Sequence, residues 1–246
     1  MKSVIIIPAR FGSSRYEGKP LIKINKVPLV IRVARKCSKA IGKENVFVAT
    51  DDHRISSIVK EYGFKYIMTS KKNLTGTDRV AEASLKVKAN IIINVQGDEP
   101  LINPKDIMKV IREKKKNFNN VLCAYTNLRK DEKAIRRTIP KVVINEKKEL
   151  IYISRNPVPV TKIKKKDSKV NYLKQVCIYG FNKSELKKFK SFKRKSVLEK
   201  IEDIEILRFF EMGIKIKMVK VSNSAVAVDE PSDKVKVEKI LNEKKR

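Results

Sequence analysis

The 246-residue chain contains no tryptophan and a single histidine. That histidine, His53, sits in the polar stretch "TDDHRIS", which has the composition of a helix start. Any Ser-His-Asp or Cys-His machine would have to be built on it, so a solvated surface role is the simpler expectation. Chemistry then falls to carboxylates, Lys and Arg, and bound metal. Cysteine is also scarce: Cys37, Cys123 and Cys177 lie far apart, form no metal-spacing pair, and their odd number argues against a disulfide framework. No apolar run reaches the ~20 residues of a membrane helix. Met1-Lys2-Ser3 leads straight into "VIIIP", too short a run for a signal peptide. A reduced, cytoplasmic protein without a membrane partner is expected.

Negative charge is in short supply. Lys and Arg number 58 against 27 Asp and Glu, a formal net charge of +31. Such a balance can serve nucleic-acid binding through phosphate neutralisation. Here lysines outnumber arginines roughly threefold and spread along the chain, whereas base-reading proteins lean on Arg for bidentate contacts. The densest run, Lys162 to Lys169, has no aromatic interleaving. A Lys-rich surface without a nucleic-acid partner is therefore expected. Its field would still draw in anionic substrates.

What is present is a strict alternation. "SVIIIP", "NVFVAT", "KYIMT", "NIIINVQ" and "VLCAYT" are apolar strand-like runs. Between them lie amphipathic stretches. Residues 28–41 place Val30, Val33, Ala34, Cys37 and Ile41 on one helical face. "HRISSIVKEYG" predicts a helix ending at Gly63. "TDRVAEASLKVK" predicts a helix with Thr77 or Asp78 near its N-cap, and "PKDIMKVIREKKK" a further helix. Strands buried on both faces and separated by helices imply a doubly wound, mostly parallel α/β sheet. Ligands bind such sheets beyond the C-terminal ends of the strands.

The second half departs from this rhythm. "KVVIN" and "ELIYISR" read as consecutive strands joined by a Lys-rich turn. Residues 156–175, with Pro157 and Pro159, read as an inserted extended arm. "QVCIYGF" and "IKIKMVKV" read as strands. Residues 197–212 predict one helix with Leu198, Ile201, Ile204 and Leu207 inward, and "PSDKVKVEKILNEKK" closes the chain as a helix. Residues 1–246 are expected to form one domain carrying that arm.

Three places carry candidate chemistry. The loop "PARFGSSRYEGKPL" follows the first strand with Arg10, Arg15 and Lys19, two serines and two glycines. Backbone amides and fixed cations suit a polyphosphate, although the P-loop spacing is absent; a solvated basic loop is an equal reading of the charge. "NVQGDEP" ends a buried strand with Asp98 and Glu99. An acid at the rim of such a sheet is a Mg²⁺ ligand when phosphates are also bound, or else caps the next helix. Asp229 in "AVAVDEP" is a second acid placed in the same way. Spacing does not show whether the two meet. "TGTDRVAE" pairs a glycine turn with Arg79, either lining a base pocket or starting a helix.

Taken together, "IIPARFGSSRYEGKPL", "VATDD", "TGTDRVAE", "NVQGDEP", "YISR", "IYGF", "LEKIE…LR" and "VDEP" resemble, in order and spacing, the 3-deoxy-manno-octulosonate (Kdo) cytidylyltransferases. The resemblance runs from residue 4 to about residue 240. It implies that the anomeric hydroxyl of a 2-keto-3-deoxy sugar acid attacks the α-phosphorus of CTP, giving a CMP-sugar and pyrophosphate for lipopolysaccharide or capsule. It implies further that Arg10, Ser13 and Lys19 hold the triphosphate, and that Thr75, Gly76 and Arg79 lie by the cytosine. By the same resemblance Asp98 and Asp229 hold Mg²⁺. Gln96, Arg155, Gln175, Tyr179 and Glu205 would surround the sugar acid, with Arg155 as the carboxylate partner because its fork matches two oxygens. The arm would mediate a homodimer.

Some positions depart from the family pattern. Gln175 in "KQVCIYGF" stands where the family usually has His, and it cannot carry charge. Glu17 stands beside the phosphate loop in "YEGKP", and Pro140 stands in "IPKVV". The phosphate and metal motifs are intact, and the changed Gln175 is on the sugar side. An amino-substituted Kdo or a nine-carbon ulosonate is the alternative acceptor.

Overall fold

Val4 and Ile6 point to one side of the first strand, Ile5, Ile7 and Ala9 to the other, and all five are buried. That double burial dictates a layer of helices on each face. The computed structural model describes residues 1–12, 16–160, 162 and 170–243. Its strands are β1 (Ser3–Ala9), β2 (Lys23–Ile24), β3 (Val27–Pro28), β4 (Val46–Thr50), β5 (Lys65–Met68), β6 (Ile91–Val95), β7 (Val121–Asn127), β8 (Lys141–Ile144), β9 (Leu150–Ser154), β10 (Leu173–Asn182) and β11 (Ile216–Lys220). The helices are α1 (Leu29–Ile41), α2 (His53–Glu61), α3 (Gly76–Ser84), α4 (Pro104–Lys116), α5 (Lys183–Ser191), α6 (Val197–Glu202), α7 (Leu207–Glu211) and α8 (Pro231–Glu243).

The main sheet runs β11-β7-β10-β6-β1-β4-β5, with β8 pairing β10 and β9. The β1–β4, β1–β6, β4–β5 and β7–β11 pairs are parallel; β10 lies antiparallel between β6 and β7. The alternating first half is thus the doubly wound parallel sheet expected. The reversal of β10 has a functional consequence. The C-terminal ends of β1, β4 and β6 share one rim, and β10 begins its run there, with Ile178 opposite Val95. Residues preceding Ile178 therefore project beyond the rim where ligands bind such sheets.

Two cores flank the sheet. One joins Ile5, Ile7, Ile93 and Ala124 to α1, α2 and α4. The other joins Val4, Ile6, Ile92 and Phe181 to α3, α5 and α7. A third, smaller cluster contains Ile24, Leu29, Leu101, Val226, Val228 and Val237. It draws the β2–β3 hairpin, the turn after β6 and the start of α8 together beneath the rim.

Several expected boundaries shift. The N-cap of α3 lies two residues before Thr77: it is Thr75, the hydroxyl accepting the amide N–H of Asp78, and the helix ends at Ser84. The expected single helix over 197–212 is two short ones. Asp203, at φ 50°, closes α6 in a left-handed turn before α7. The break leaves Ile201 exposed at 73 %, while Ile204 and Leu207 are buried as expected. Of the arm expected over 156–175, residues 161 and 163–169 lie outside the described ones. Residues 173–175 belong to β10 itself.

Arg208 on α7 joins these helices to α3. It is fully buried, and its Nε and Nη2 each donate to Glu199 at 2.7 Å. Nη1 and Nη2 donate to Asp78 at 2.8 and 3.0 Å, and the guanidinium lies 3.8 Å from the centre of the Phe189 ring. Burial disfavours its charge, but the two carboxylates outweigh that and raise its pKa further. Arg208→Met leaves two buried acids without their cation. We expect a loss of about 3–5 kcal/mol, read in urea unfolding as a lower midpoint at unchanged slope. A loss below about 1 kcal/mol, the scale of an exposed pair, would show that the network is not a structural tie.

Candidate active site

An open cleft of about 350 Å³ lies over the rim. Its wall includes Arg10 and Lys19 from the loop after β1, Thr75, Gly76 and Arg79 from the start of α3, and Gln96 and Asp98 from the turn after β6. Arg155, Gln175, Tyr179, Glu205 and Asp229 complete it. The expected site residues thus meet in one cleft, except Ser13, which like Arg15 of the same loop lies outside the described residues; Glu17 does not line it. His53 is exposed at the first position of α2 and does not line the cleft.

At the head of the cleft Lys19 joins the two rim acids. Its Nζ donates to Asp98 Oδ2 at 2.9 Å and to Asp229 Oδ1 at 3.2 Å. The third core cluster accounts for the meeting. Leu101 and Val228 pack in it side by side, and the Val228 N–H donates to the Asp98 carbonyl at 2.9 Å. Gly18, in the left-handed region at φ 64°, turns the chain so that Lys19 and Pro20 can enter a short 3₁₀ turn. A Cβ there would also press on the Phe11 ring at 3.3 Å. Burial lowers the lysine's pKa, but the charges of Asp98 and Asp229 reverse that, and the net shift is upward. Lys19 is an ammonium held by two carboxylates. Among the described residues no third Asp, Glu, His or Cys joins them as a metal cluster.

The start of α3 forms a second wall. Four N–H groups at a helix N-terminus lack helical partners. Here the Glu205 carboxylate accepts from Gly76 N at 2.8 Å, Thr77 N at 2.7 Å and the Thr77 hydroxyl at 2.5 Å. Burial pushes the Glu205 pKa up, against those bonds. A Cβ on Gly76 would stand 3.1 Å from both Gln96 and Glu205, so only glycine fits without displacement. Arg79 is 3 % exposed, with Nη1 donating to the Thr69 hydroxyl at 2.5 Å and Nη2 to Asp51 at 2.7 Å.

The third wall comes from β10 and the α6–α7 turn. A regular strand holds residues four apart at about 13 Å, yet Gln175 Nε2 donates to the Tyr179 hydroxyl at 3.0 Å. The register shift between Val176 and Tyr179 accounts for this approach. Arg155 reaches across to backbone carbonyls of Glu202, Arg137 and Asp203 at 2.5, 2.9 and 2.9 Å. Those bonds use three of its five N–H groups.

Several wall residues carried no sequence signal or only a weak one. Glu99 stands beside Asp98 in "NVQGDEP", where the motif assigns it no role of its own. It is 4 % exposed, with Oε1 accepting the Cys177 N–H at 3.0 Å. Burial and the neighbouring Asp98 charge raise its pKa to about 7. Lys174 pairs with Glu132 at 2.6 Å beside Gln175. Arg136 and Asp233, paired at 2.8 Å, belong to no motif. Glu132 and Arg136 lie on the loop between β7 and β8, whose distance in sequence from the rim motifs conceals them.

Comparison with known proteins agrees with this geometry. A family model described as cytidylyltransferase matches residues 4–216. The chain is 38 % identical over 253 residues to the 3-deoxy-manno-octulosonate cytidylyltransferase of Thermodesulfovibrio yellowstonii, covering 98 % of this chain and 99 % of that one. It is 35 % identical over 240 residues to the enzyme of that name from Escherichia coli, covering 98 % and 96 %. Among solved structures, a CMP:2-keto-3-deoxy-manno-octonic acid synthetase complexed with CTP superposes with a TM-score of 0.89 at 36 % identity, covering 99 % and 100 %. A cytidylyltransferase from Leptospira borgpetersenii, at 17 % identity and a TM-score of 0.67, shares the fold, covering 99 % and 87 %.

The double ion pair generates a prediction that needs no substrate. Lys19→Met removes the cation from between two carboxylates about 3 Å from it. Divalent cation should then bind the nucleotide-free variant roughly tenfold more tightly than the parent, measured by Mn²⁺ titration with paramagnetic resonance. Equal or weaker Mn²⁺ binding would mean that Lys19 does not occupy the carboxylates' common field.

Proposed function

Because this chain belongs to the 3-deoxy-manno-octulosonate cytidylyltransferase family, we propose that it transfers CMP from CTP to the anomeric hydroxyl of Kdo, releasing pyrophosphate. The observation that carries this reading is the contact of Lys19 with Asp98 and Asp229. A cation suited to phosphate and two acids suited to metal share one point at the strand rim.

Catalysis of this transfer is mostly positioning and charge neutralisation. Arg10 and Lys19 neutralise the triphosphate, and Ser13, by family resemblance, donates a hydrogen bond to it. The Thr75–Gly76 turn and Arg79 shape the cytosine side. Arg79 acts there as a fixed wall, since Asp51 and Thr69 hold its guanidinium. On the acceptor side, Arg155 turns its remaining N–H groups to the sugar carboxylate. Gln96, Gln175, Tyr179 and Glu205 border the hydroxyls. Asp229 and Asp98 would hold Mg²⁺. The pair fits that ion, because it already brackets a positive charge and because Mg²⁺ is bound by one or two carboxylates together with phosphate oxygens. When bound, the ion lowers the pKa of the attacking hydroxyl and orients an in-line displacement. Lys19, held beside both acids, would be placed to turn its charge to the departing pyrophosphate. Kdo is the acceptor because the near-full-length relatives carry that name at 35–38 % identity. Homodimer formation and a role in lipopolysaccharide or capsule synthesis complete the reading.

The test is pyrophosphate release from CTP and Mg²⁺ with and without Kdo. We expect release only when all three are present. Asp98→Asn or Asp229→Asn should cut turnover by about 10²-fold or more, since the ion contributes several kcal/mol, while leaving the melting temperature in place. Near-parental turnover in either variant would refute the metal assignment. Gln175→His supplies the finer check. Because Gln175 bonds Tyr179 and none of the triphosphate residues, it should shift the KM for Kdo and leave that for CTP unchanged. A shift in the CTP KM alone would move position 175 off the acceptor side.

A further inference from the structure

We propose that Arg136 and Asp233 are a positioning pair that sets Asp229 for the divalent cation; this rests on the metal reading of Asp98 and Asp229. Asp233, in the first turn of α8, is 5 % exposed. Its Oδ2 accepts the N–H groups of Asp229 and Glu230, both at 3.0 Å. Its Oδ1 accepts Nη2 of Arg136 at 2.8 Å, and the same nitrogen stands 3.6 Å from the Glu230 carboxylate. On the other side of Asp229, the Val228 N–H is held by the Asp98 carbonyl. The backbone of residue 229 is thus fixed from both directions. Asp233 has both oxygens engaged, which suits it to orient a ligand rather than to be one. Charge-assisted bonds of this kind are the strong ones, and partners behind a metal ligand set its affinity.

Arg136 has a second attachment. Its own carbonyl accepts Lys141 Nζ at 3.2 Å, and four residues on, the Pro140 carbonyl accepts the Gln175 N–H at 3.0 Å. Lys141 is fully buried, and its ammonium also bonds the carbonyls of Ile139 and Arg155. A further ion pair, Lys236 to Asp131 at 2.8 Å, fastens the same loop to the next turn of α8. The loop between β7 and β8 therefore runs as a strut from the acceptor wall to the metal carboxylate. If Asp233 merely capped α8, the two N–H bonds would suffice and the arginine would be superfluous.

The experiment uses the full chain, its Arg136→Gln and Asp233→Asn variants, the double variant and Arg136→Lys. Arg136 is part-exposed at 39 %, so its replacement tests the pair without unfolding the chain. Mn²⁺ affinity is read by paramagnetic resonance in the presence of a non-hydrolysable CTP analogue, and analogue affinity by calorimetry in chelator. We expect each single variant to bind Mn²⁺ about tenfold more weakly, and the double variant to lose no more than the worse single one, as coupled residues do. Arg136→Lys should recover part of the loss, and analogue affinity in chelator should stay at the parental value. Parental Mn²⁺ affinity in Arg136→Gln, additive losses in the double variant, or an equal fall in analogue affinity would each overturn the proposal. Parent chain that binds no Mn²⁺ would overturn the metal reading and this inference together. Parent and variants binding Mn²⁺ alike would overturn this inference alone.

Discussion

Lys19 between Asp98 and Asp229 is the contact on which the rest of the cleft depends. It joins three segments that lie 79 and 210 residues apart in the chain. Two carboxylates brought together repel, and an ammonium between them removes that cost. The fold must therefore deliver three loop ends to one point and hold them there. It does so with an apolar cluster beneath the rim and one backbone bond, Val228 to Asp98. The trio still carries a net negative charge, one ammonium against two carboxylates.

The three walls differ in how they are held. The first hangs on the Lys19 ion pairs. The second is the N-terminus of α3, held by Glu205 on one side and by Arg208 from behind. The third is a reversed strand with a register shift, steadied by the loop between β7 and β8. The bonds of Arg208, Asp78 and Glu199 are buried, where breaking one partner costs far more than at the surface. That rigidity lets a few polar groups in an open cleft keep fixed directions.

Much of this was legible in the sequence, and the limits have physical causes. The parallel half declares itself because strands buried on both faces are uniformly apolar, as in "NIIINVQ". Asp98 declares itself because it follows such a strand; the apolar alternation before Asp229 forms no strand, since none lies between β11 and α8, and the apolar cluster beneath the rim places it instead. The reversal of β10 left no trace, because strand direction is set by pairing partners and not by composition. The helix over 197–212 was read too long, because its spacing of apolar residues continues across Asp203, where the chain turns left-handed. The N-cap of α3 is Thr75 rather than Thr77 or Asp78, and the further acceptor that lets the helix begin at Gly76, Glu205, is 129 residues away. Lys174, Glu132, Arg136 and Asp233 were missed for the same reason. Long-range ion pairs carry no local pattern.

Glu205 has a consequence for how acceptor preference can diverge in such a protein. It caps α3, and in the proposed reading it also borders the acceptor while α3 faces the nucleotide, so it would be a shared joint between two recognition tasks. A change there alters both at once, and its effects cannot be selected separately. Gln175 is attached differently. Its side chain bonds Tyr179 and Cys123 Sγ, and no residue of the nucleotide side. On that proposed reading, variation in acceptor choice would be free to accumulate at position 175, while position 205 would be locked by its double duty.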